Sequence, residues 1–210
     1  MYKLYYSPGA CSMAIHIALN ECNQPVTLER VNLQEKRDPE FLKLNPRGSV
    51  PVLVDDGFAI REGAAILMHL LDKHQSPLLP RTGKERTTAL QWLMFCNATL
   101  HPAYSRVFFL NKNVQDAAAK EQVMGVAVPM LKKMWDEVEE RLGQTAFLAG
   151  DNITIADILM TVIANWNGYA PQLASITYGP KTKKLLQTVI ARPAYKKALE
   201  AEEVQYKAAA

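Results

Sequence analysis

Cys11 is the residue whose type and position most clearly suggest chemistry. It follows a turn at Ser7–Ala10 and stands directly before an apolar helical pattern that begins at Ser12. A helix N-terminus presents free backbone N–H groups and the positive end of the helix dipole, which stabilise a thiolate and lower the pKa of a cysteine. The position therefore predicts a reactive thiol, although a free cysteine is more commonly a small buried apolar residue. No second cysteine follows at CxxC spacing, so we expect single-thiol chemistry with an external thiol.

Two other short patterns could bind a small polar molecule. Glu62 and Gly63 open a helix and place a carboxylate beside free backbone N–H groups, which suits the ammonium and carboxylate of an α-amino acid. An acidic residue in a first helical turn is also common for electrostatic reasons alone. Val50-Pro51 opens a strand, where a cis peptide bond would be a specific structural feature, although the trans form is the more common one before proline. Neither pattern identifies a site by itself.

These residues must be positioned by a first part of the chain that alternates between strand and helix patterns. The order is β-α-β-α-β-β-α, with strands predicted at 2–6, 27–33, 50–54 and 58–60 and helices at 12–22, 39–45 and 62–72. A helical crossover joins the first two strands, and Asp55-Asp56-Gly57 predicts a hairpin between the last two. Prolines and a glycine in residues 75–83 predict a linker after a first domain at 1–77.

The rest of the chain, residues 85–210, shows only helical patterns, with a kink expected at Pro102. Thr154 and Asp157 form a capping box, and we assign both to structure rather than to chemistry. Helices are predicted at about 85–109, 117–142, from 154, at 181–191 and from 194 onward.

The composition of the 210 residues excludes several classes of protein. Hydrophobic residues make up 49% and charged residues 21% of the chain, which is typical of a globular protein. A formal charge of +3 indicates neither a nucleic-acid nor a membrane-surface partner, and no apolar stretch reaches the ~18–20 residues of a membrane span. The three cysteines lack the spacing of a zinc site, so we expect no metal and a cytoplasmic, reducing location.

Four motifs resemble those of bacterial beta-class glutathione S-transferases. They are YYSPGACS at 5–12, NPRGSVP at 45–51, EGAAI at 62–66 and ITIAD at 153–157, in the order that the family has them. The resemblance covers almost the whole chain. It implies the glutathione transferase architecture: a thioredoxin-like α/β domain that binds glutathione, then an all-α domain that forms the second-substrate site and part of the interface of a homodimer.

The resemblance also implies which residues act on the glutathione sulfur. Cys11 would meet that sulfur and can form a mixed disulfide with it. His101, on the first long helix of the second domain, would approach the cysteine sulfur, and Tyr6 would lie next to the site. Without the resemblance, a histidine buried in the core is an equally good interpretation of His101.

Other residues would bind the rest of glutathione, according to the same resemblance. Val50, before a cis Pro51, would pair its backbone with the cysteinyl part of the tripeptide. Glu62 and the N–H group of Gly63 would hold the γ-glutamyl head, and Lys36 would lie near the glycyl carboxylate.

The second substrate is expected to be a small hydrophobic electrophile bound between the domains. Tyr104, Phe108 and Trp166 are the candidates for an aromatic wall, since the first two share a helix face with His101. Packing in the core is the alternative for each of the three rings.

One position departs from the family. Beta-class enzymes often place an asparagine on the first long helix, from which it reaches the glutathione of the neighbouring subunit. This sequence has Met94 there, with Asn97 three residues further on. Methionine cannot donate the polar contact, so weaker glutathione binding across the dimer is one expected consequence.

Two functions from different classes follow. The first is an enzyme that conjugates glutathione to electrophiles, or that performs glutathione-dependent thiol–disulfide exchange or peroxide reduction through Cys11. The alternative is a non-catalytic ligand-binding or regulatory protein on the same fold.

Overall fold

The first part of the chain forms a four-stranded mixed sheet in the order β2-β1-β3-β4. The structure is a computed structural model and describes residues 1–208. Strand β1 is parallel to β2 and antiparallel to β3, and β4 pairs antiparallel with β3, which confirms the predicted crossover and hairpin. The strands are β1 Tyr2–Tyr6, β2 Val26–Arg30, β3 Val52–Asp55 and β4 Phe58–Arg61, and the helices are α1 Ser12–Glu21, α2 Pro39–Leu44 and α3 Gly63–Lys73.

Local chemistry explains the turns of this part. Asp56 and Gly57 form the two-residue hairpin loop with φ angles of 47° and 88°, as a type I′ turn requires. Asp38 caps α2, because its carboxylate accepts a hydrogen bond of 2.7 Å from the Glu40 N–H. Strand β2 ends at Arg30 and not at residue 33 as predicted. The carbonyls of Asn32 and Leu33 accept hydrogen bonds from the Arg37 guanidinium and not from a neighbouring strand.

The second part of the described chain is helical. Its helices are α4 Gly83–Met94, α5 His101–Asn113, α6 Ala117–Leu142, α7 Ile155–Ala164, α8 Pro180–Ile190 and α9 Pro193–Ala201, with short 3₁₀ turns at Asn165–Tyr169 and Pro171–Ser175. A thioredoxin-like unit followed by an all-helical unit is the architecture that the sequence predicts. Within residues 1–208 no helix is both long enough and apolar enough to span a membrane.

The helical path from α4 to α5 is interrupted just before Pro102. Phe95–Leu100 forms a π-helical segment between the two helices. Pro102 has no N–H group to donate to the carbonyl of Ala98, and the wider π-helical turn accommodates the missing hydrogen bond.

Helix α1 is the central element of the fold. Every residue from Ser12 to Leu19 is buried, because the helix packs against β1, α3, α7 and α9 at once. Helix α7 is also buried along its whole length, and the predicted capping box of Thr154 and Asp157 begins it. The N-terminal end of α1, where Cys11 lies, is therefore fixed by elements from both parts of the chain.

Candidate active site

Cys11 lies at the N-terminal end of α1, half-buried, with its Sγ 3.9 Å from the carbonyl oxygen of Val50. Burial raises the pKa of the Cys11 thiol to about 11, although the backbone N–H of Ser12 acts in the opposite direction. The expected lowering of this pKa by the helix N-terminus is therefore wrong for the protein without ligand. Desolvation of the thiolate exceeds the stabilisation that the helix terminus provides.

Val50, Pro51 and Gly63 lie together beside Cys11. The Val50–Pro51 peptide bond is cis, as expected. A Cβ atom added to Gly63 would lie 3.8 Å from Cγ of Pro51 and 3.3 Å from Oδ1 of Asn97, so the start of α3 packs closely against both residues. The structure thus brings together the motifs that contain Cys11, Val50-Pro51 and Gly63. Asn97, in the π-helical segment, lies beside them.

Glu62 precedes α3 with a backbone φ of 70°, a conformation that non-glycine residues adopt at a cost of about 1–3 kcal/mol. Such strained residues cluster at ligand-binding sites. The Glu62 carboxylate forms an ion pair with the Arg47 guanidinium, and both side chains are about two-thirds exposed, at 63% and 65%. Arg47 belongs to the motif at 45–51, but its hydrogen bond to Glu62, 15 residues further along the chain, could not be predicted from the sequence.

Lys36 lies exposed in the segment between β2 and α2, and no hydrogen bond or ion pair joins its side chain to another described residue. Its neighbour Arg37 holds the same segment to Gly48, two residues before Val50. The structure therefore links the Lys36 segment to the Cys11 site through a residue that sequence analysis did not single out.

The turn before Cys11 is held by the helical part of the chain. The Gly9 N–H donates to Oε2 of Glu202 at 3.1 Å, and the Trp166 indole N–H donates to the Gly9 carbonyl at 2.8 Å. Nδ1 of His16, in α1, lies 3.0 Å from Oε1 of the same carboxylate, and both side chains are almost fully buried. Glu202 and His16 were not among the expected site residues, because these contacts join positions 186 or more residues apart.

His101 and Tyr6 belong to different elements, α5 and β1. The His101 ring packs edge-on against Trp166 with ring centroids 4.9 Å apart, and burial lowers the pKa of His101, which keeps the imidazole neutral. Tyr6 ends β1 and is buried. Burial is the main cause that raises the pKa of its hydroxyl, and the negative charge of the nearby Glu202 raises it further. Both groups are neutral at pH 7.

The three expected wall aromatics occupy different environments. Tyr104 is fully buried, and its hydroxyl donates to Asn167 at 2.6 Å and accepts from the Trp135 indole at 2.9 Å. Trp166 is also buried, with its N–H committed to Gly9. Phe108 alone is partly exposed. The structure therefore places Tyr104 and Trp166 in the core and leaves Phe108 as the accessible ring.

A cavity of about 320 Å³ has Pro8 of the turn before Cys11 in its lining, together with Tyr169 and Val204 among others. The part of the chain that the structure describes contains no group of three or more histidine, cysteine or acidic side chains that could hold a metal ion.

Comparison with known proteins relates both parts of the chain to described families. Residues 2–78 match the family described as "Glutathione S-transferase, N-terminal domain", and residues 89–193 match "Glutathione S-transferase, C-terminal domain". The chain is 35% identical to glutathione S-transferase GST-4.5 of Xanthomonas campestris pv. campestris over 78% of this chain and 81% of that protein. It is 31% identical to glutathione S-transferase GstA of Escherichia coli O157:H7 over 95% and 98% of the two chains.

Solved structures agree over nearly the full length. The glutathione S-transferase of Xylella fastidiosa superposes with a TM-score of 0.87 at 27% identity, covering 98% of this chain and all of that one. A sphingomonad glutathione S-transferase complexed with glutathione gives 0.82 at 30% identity, covering 97% and 100%. The beta-class enzyme of Sphingomonas chungbukensis gives 0.81 at 29%, covering 97% and 100%. With family matches in both parts and curated relatives above 30% identity over most of its length, this chain belongs to the glutathione S-transferase family.

Proposed function

We propose that this glutathione transferase is a beta-class enzyme in which Cys11 acts on the sulfur of glutathione. Cys11 lies in a motif that resembles the beta class, and the likeness to the Sphingomonas beta-class enzyme supports the assignment. Nothing in residues 1–208 or in the relatives favours the non-catalytic alternative.

The proposal depends on one observation, the 3.9 Å distance from the Cys11 Sγ to the Val50 carbonyl oxygen. A glutathione whose cysteinyl backbone pairs with Val50 brings its own sulfur to the Cys11 thiol. The ammonium of the γ-glutamyl head then contacts Glu62, and the α-carboxylate of the same head accepts from the Gly63 N–H. The glycyl carboxylate extends toward Lys36. Pro51 packs against the start of α3 at Gly63.

Cys11 serves conjugation as a hydrogen-bond donor. With a pKa of about 11 its thiol is protonated at pH 7, so the S–H group can stabilise the thiolate of a bound glutathione. That thiolate forms a carbon–sulfur bond with the electrophile, whose leaving group departs with its electron pair. Tyr6 and His101, both neutral, are the further groups that we place near the reacting sulfur.

Cys11 also supports exchange once it is deprotonated. Its thiolate attacks one sulfur of a glutathionyl disulfide, the sulfur–sulfur bond breaks, and the other thiolate leaves with the bonding electrons. A second glutathione thiolate then attacks the mixed disulfide and releases Cys11 as oxidised glutathione forms. The high pKa of Cys11 keeps the thiolate fraction small at neutral pH and so slows this exchange.

The remaining assignments concern the whole enzyme. We assign residues 1–77 to glutathione binding and residues 85–210 to the second-substrate site and part of a homodimer interface. The exposed apolar side chains of Phe58 and Met94 support such an interface. A small hydrophobic electrophile would contact Phe108, with Tyr104 and Trp166 behind it, and the enzyme would act in the cytoplasm without a metal.

Two variants of Cys11 test the proposal. Cys11→Ala should lower conjugation of an aryl halide by about tenfold, since the glutathione thiolate loses a donor, and Cys11→Ser should restore most of it. Both variants should fail to form a mixed disulfide with oxidised glutathione, which peptide mapping by mass spectrometry would detect at Cys11 of the wild type. Cys22→Ala is the matched control. Full conjugation by Cys11→Ala together with an adduct at Cys22 would contradict the proposal.

A further inference from the structure

The Arg37 guanidinium binds four backbone carbonyl groups around the Lys36 segment. Nη1 donates to Asn32 at 2.8 Å and also to Glu35, and Nη2 donates to Leu33 at 3.0 Å. Nε donates to Gly48 at 2.8 Å. Three of these carbonyls belong to the segment itself, and the fourth belongs to the loop that leads into Val50-Pro51.

The backbone conformation of Gly48 and its missing side chain allow Arg37 to pack closely against it. Its φ of 63° lies in the region that favours glycine, and an added Cβ atom would lie only 3.0 Å from Cγ of Arg37. The Arg37 stem therefore packs directly on the backbone of Gly48 while its head binds the Gly48 carbonyl. The two loops are joined by packing as well as by a hydrogen bond.

This arrangement fixes the backbone on both sides of Lys36. The preceding carbonyl, that of Glu35, accepts from Arg37, and the following residue is Arg37 itself. The Asn32 side chain adds two further bonds within the segment, to the Gln34 N–H and to the Glu35 carboxylate. Lys36 is thus an exposed cation on a rigid support, at a set position relative to Gly48 and Val50.

We propose that Arg37 is a specificity-determining positioning residue, which holds Lys36 so that the site selects the tripeptide glutathione over γ-glutamylcysteine, the dipeptide without the glycyl carboxylate. The inference rests on the proposed function, in which Lys36 faces that carboxylate. We assign Arg37 no contact with the substrate, because four of its five N–H donors already bind backbone carbonyls.

Lysine cannot replace arginine in this role. A guanidinium presents five donors in a planar fork, whereas an ammonium is a point charge with three donors. Arg37→Lys keeps the charge of the segment but cannot reach four carbonyls at once. It therefore separates the geometric role of Arg37 from a general electrostatic attraction of glutathione.

The test compares the KM values of glutathione and γ-glutamylcysteine in the same conjugation assay. Arg37→Lys should raise the KM for glutathione about tenfold and leave that for γ-glutamylcysteine within about twofold, so that the preference for the tripeptide is lost. Lys36→Ala should have the same effect, and the double variant should add nothing further. Arg61→Lys, at the exposed end of β4, is the matched control and should change neither value.

Two results would overturn the inference. If Arg37→Lys raises both KM values equally, Arg37 has only a structural role. If it raises neither, the segment does not depend on the guanidinium. Failure of the proposed function looks different, because the wild type would then show no preference between the two thiols, or would turn over neither.

Discussion

The Glu62 carboxylate and the Arg47 guanidinium form an ion pair at the start of α3, beside Gly63. Both side chains are mostly exposed, so the pair contributes little to stability, about 0–1 kcal/mol. A substrate ammonium can therefore take the place of Arg47 at small cost. The pair keeps the carboxylate at the site that we assign to the γ-glutamyl head.

Glu62→Gln should raise the KM for glutathione about tenfold, because the ion pair with the substrate ammonium becomes a hydrogen bond to a neutral amide oxygen. The free energy of unfolding, measured with urea, should change by less than about 1 kcal/mol. Glu29→Gln is the control, since Glu29 forms a similarly exposed pair with Lys3 at 3.6 Å. An unchanged KM in Glu62→Gln would remove Glu62 from the binding site.

The pH dependence of Cys11 alkylation should reflect its burial. With a pKa of about 11, raised above the ordinary value for a cysteine, the thiolate fraction increases tenfold per pH unit. The rate of reaction with iodoacetamide should therefore rise steadily from pH 7 to pH 10 without levelling off. Peptide mapping resolves Cys11 from the other cysteines, and circular dichroism checks that the protein stays folded. A plateau below pH 8.5 would show that the helix N-terminus dominates after all.

The contacts of Gly9 with Glu202 and Trp166 should limit solvent access to Cys11. Glu202→Ala removes the acceptor of the Gly9 N–H, so the turn can open and hydrate the thiol, which lowers its pKa. Alkylation of Cys11 at pH 8 should accelerate at least fivefold, which corresponds to a shift of about 1 kcal/mol in the thiol equilibrium. Trp166→Phe, which loses the donor to the Gly9 carbonyl, should act in the same direction.

That experiment has three controls: the fully buried Cys96 and the variants Glu202→Gln and Glu200→Ala. Glu202→Gln keeps an oxygen that can accept from Gly9 and should behave like the wild type, as should Glu200→Ala on the exposed side of α9. Parallel acceleration at Cys11 and Cys96 would indicate general unfolding and would count against a local effect of the turn.

Local signals in the sequence predicted much of the fold. Asp56-Gly57 can form only a few kinds of turn, and the capping box of Thr154 and Asp157 needs residues three apart, so the structure confirms both predictions. The start of α1 followed from the change of pattern after the Pro8-Gly9 turn. In each case the determining interaction lies within a few residues along the chain.

The properties that could not be predicted depend on contacts between distant residues. The end of β2 is set by Arg37, whose guanidinium takes the carbonyls that a longer strand would use. The pKa of Cys11 is set by what covers the thiol, and no local pattern reports that. The link from Trp166 to Gly9 spans 157 residues, so the indole could be expected near the site but not in its supporting role.

Phe108 and Tyr104 lie four residues apart on α5 and should respond to mutation in opposite ways. Tyr104→Phe leaves the Trp135 indole N–H without its acceptor in the core, so the free energy of unfolding should fall by about 1–3 kcal/mol. The KM values of the folded variant should stay unchanged. Phe108→Ala should instead raise the KM for an apolar electrophile several-fold and leave the KM for glutathione unchanged, because only this ring is partly exposed.

The two variants are controls for each other, with urea unfolding and steady-state kinetics measured on both. If Tyr104→Phe alters the KM for the electrophile while its stability is retained, the buried ring reaches the substrate through a movement of α5. If Phe108→Ala alters stability alone, the accessible ring belongs to the core and the electrophile must bind elsewhere. The cavity lined by Pro8, Tyr169 and Val204 is then the next region to mutate.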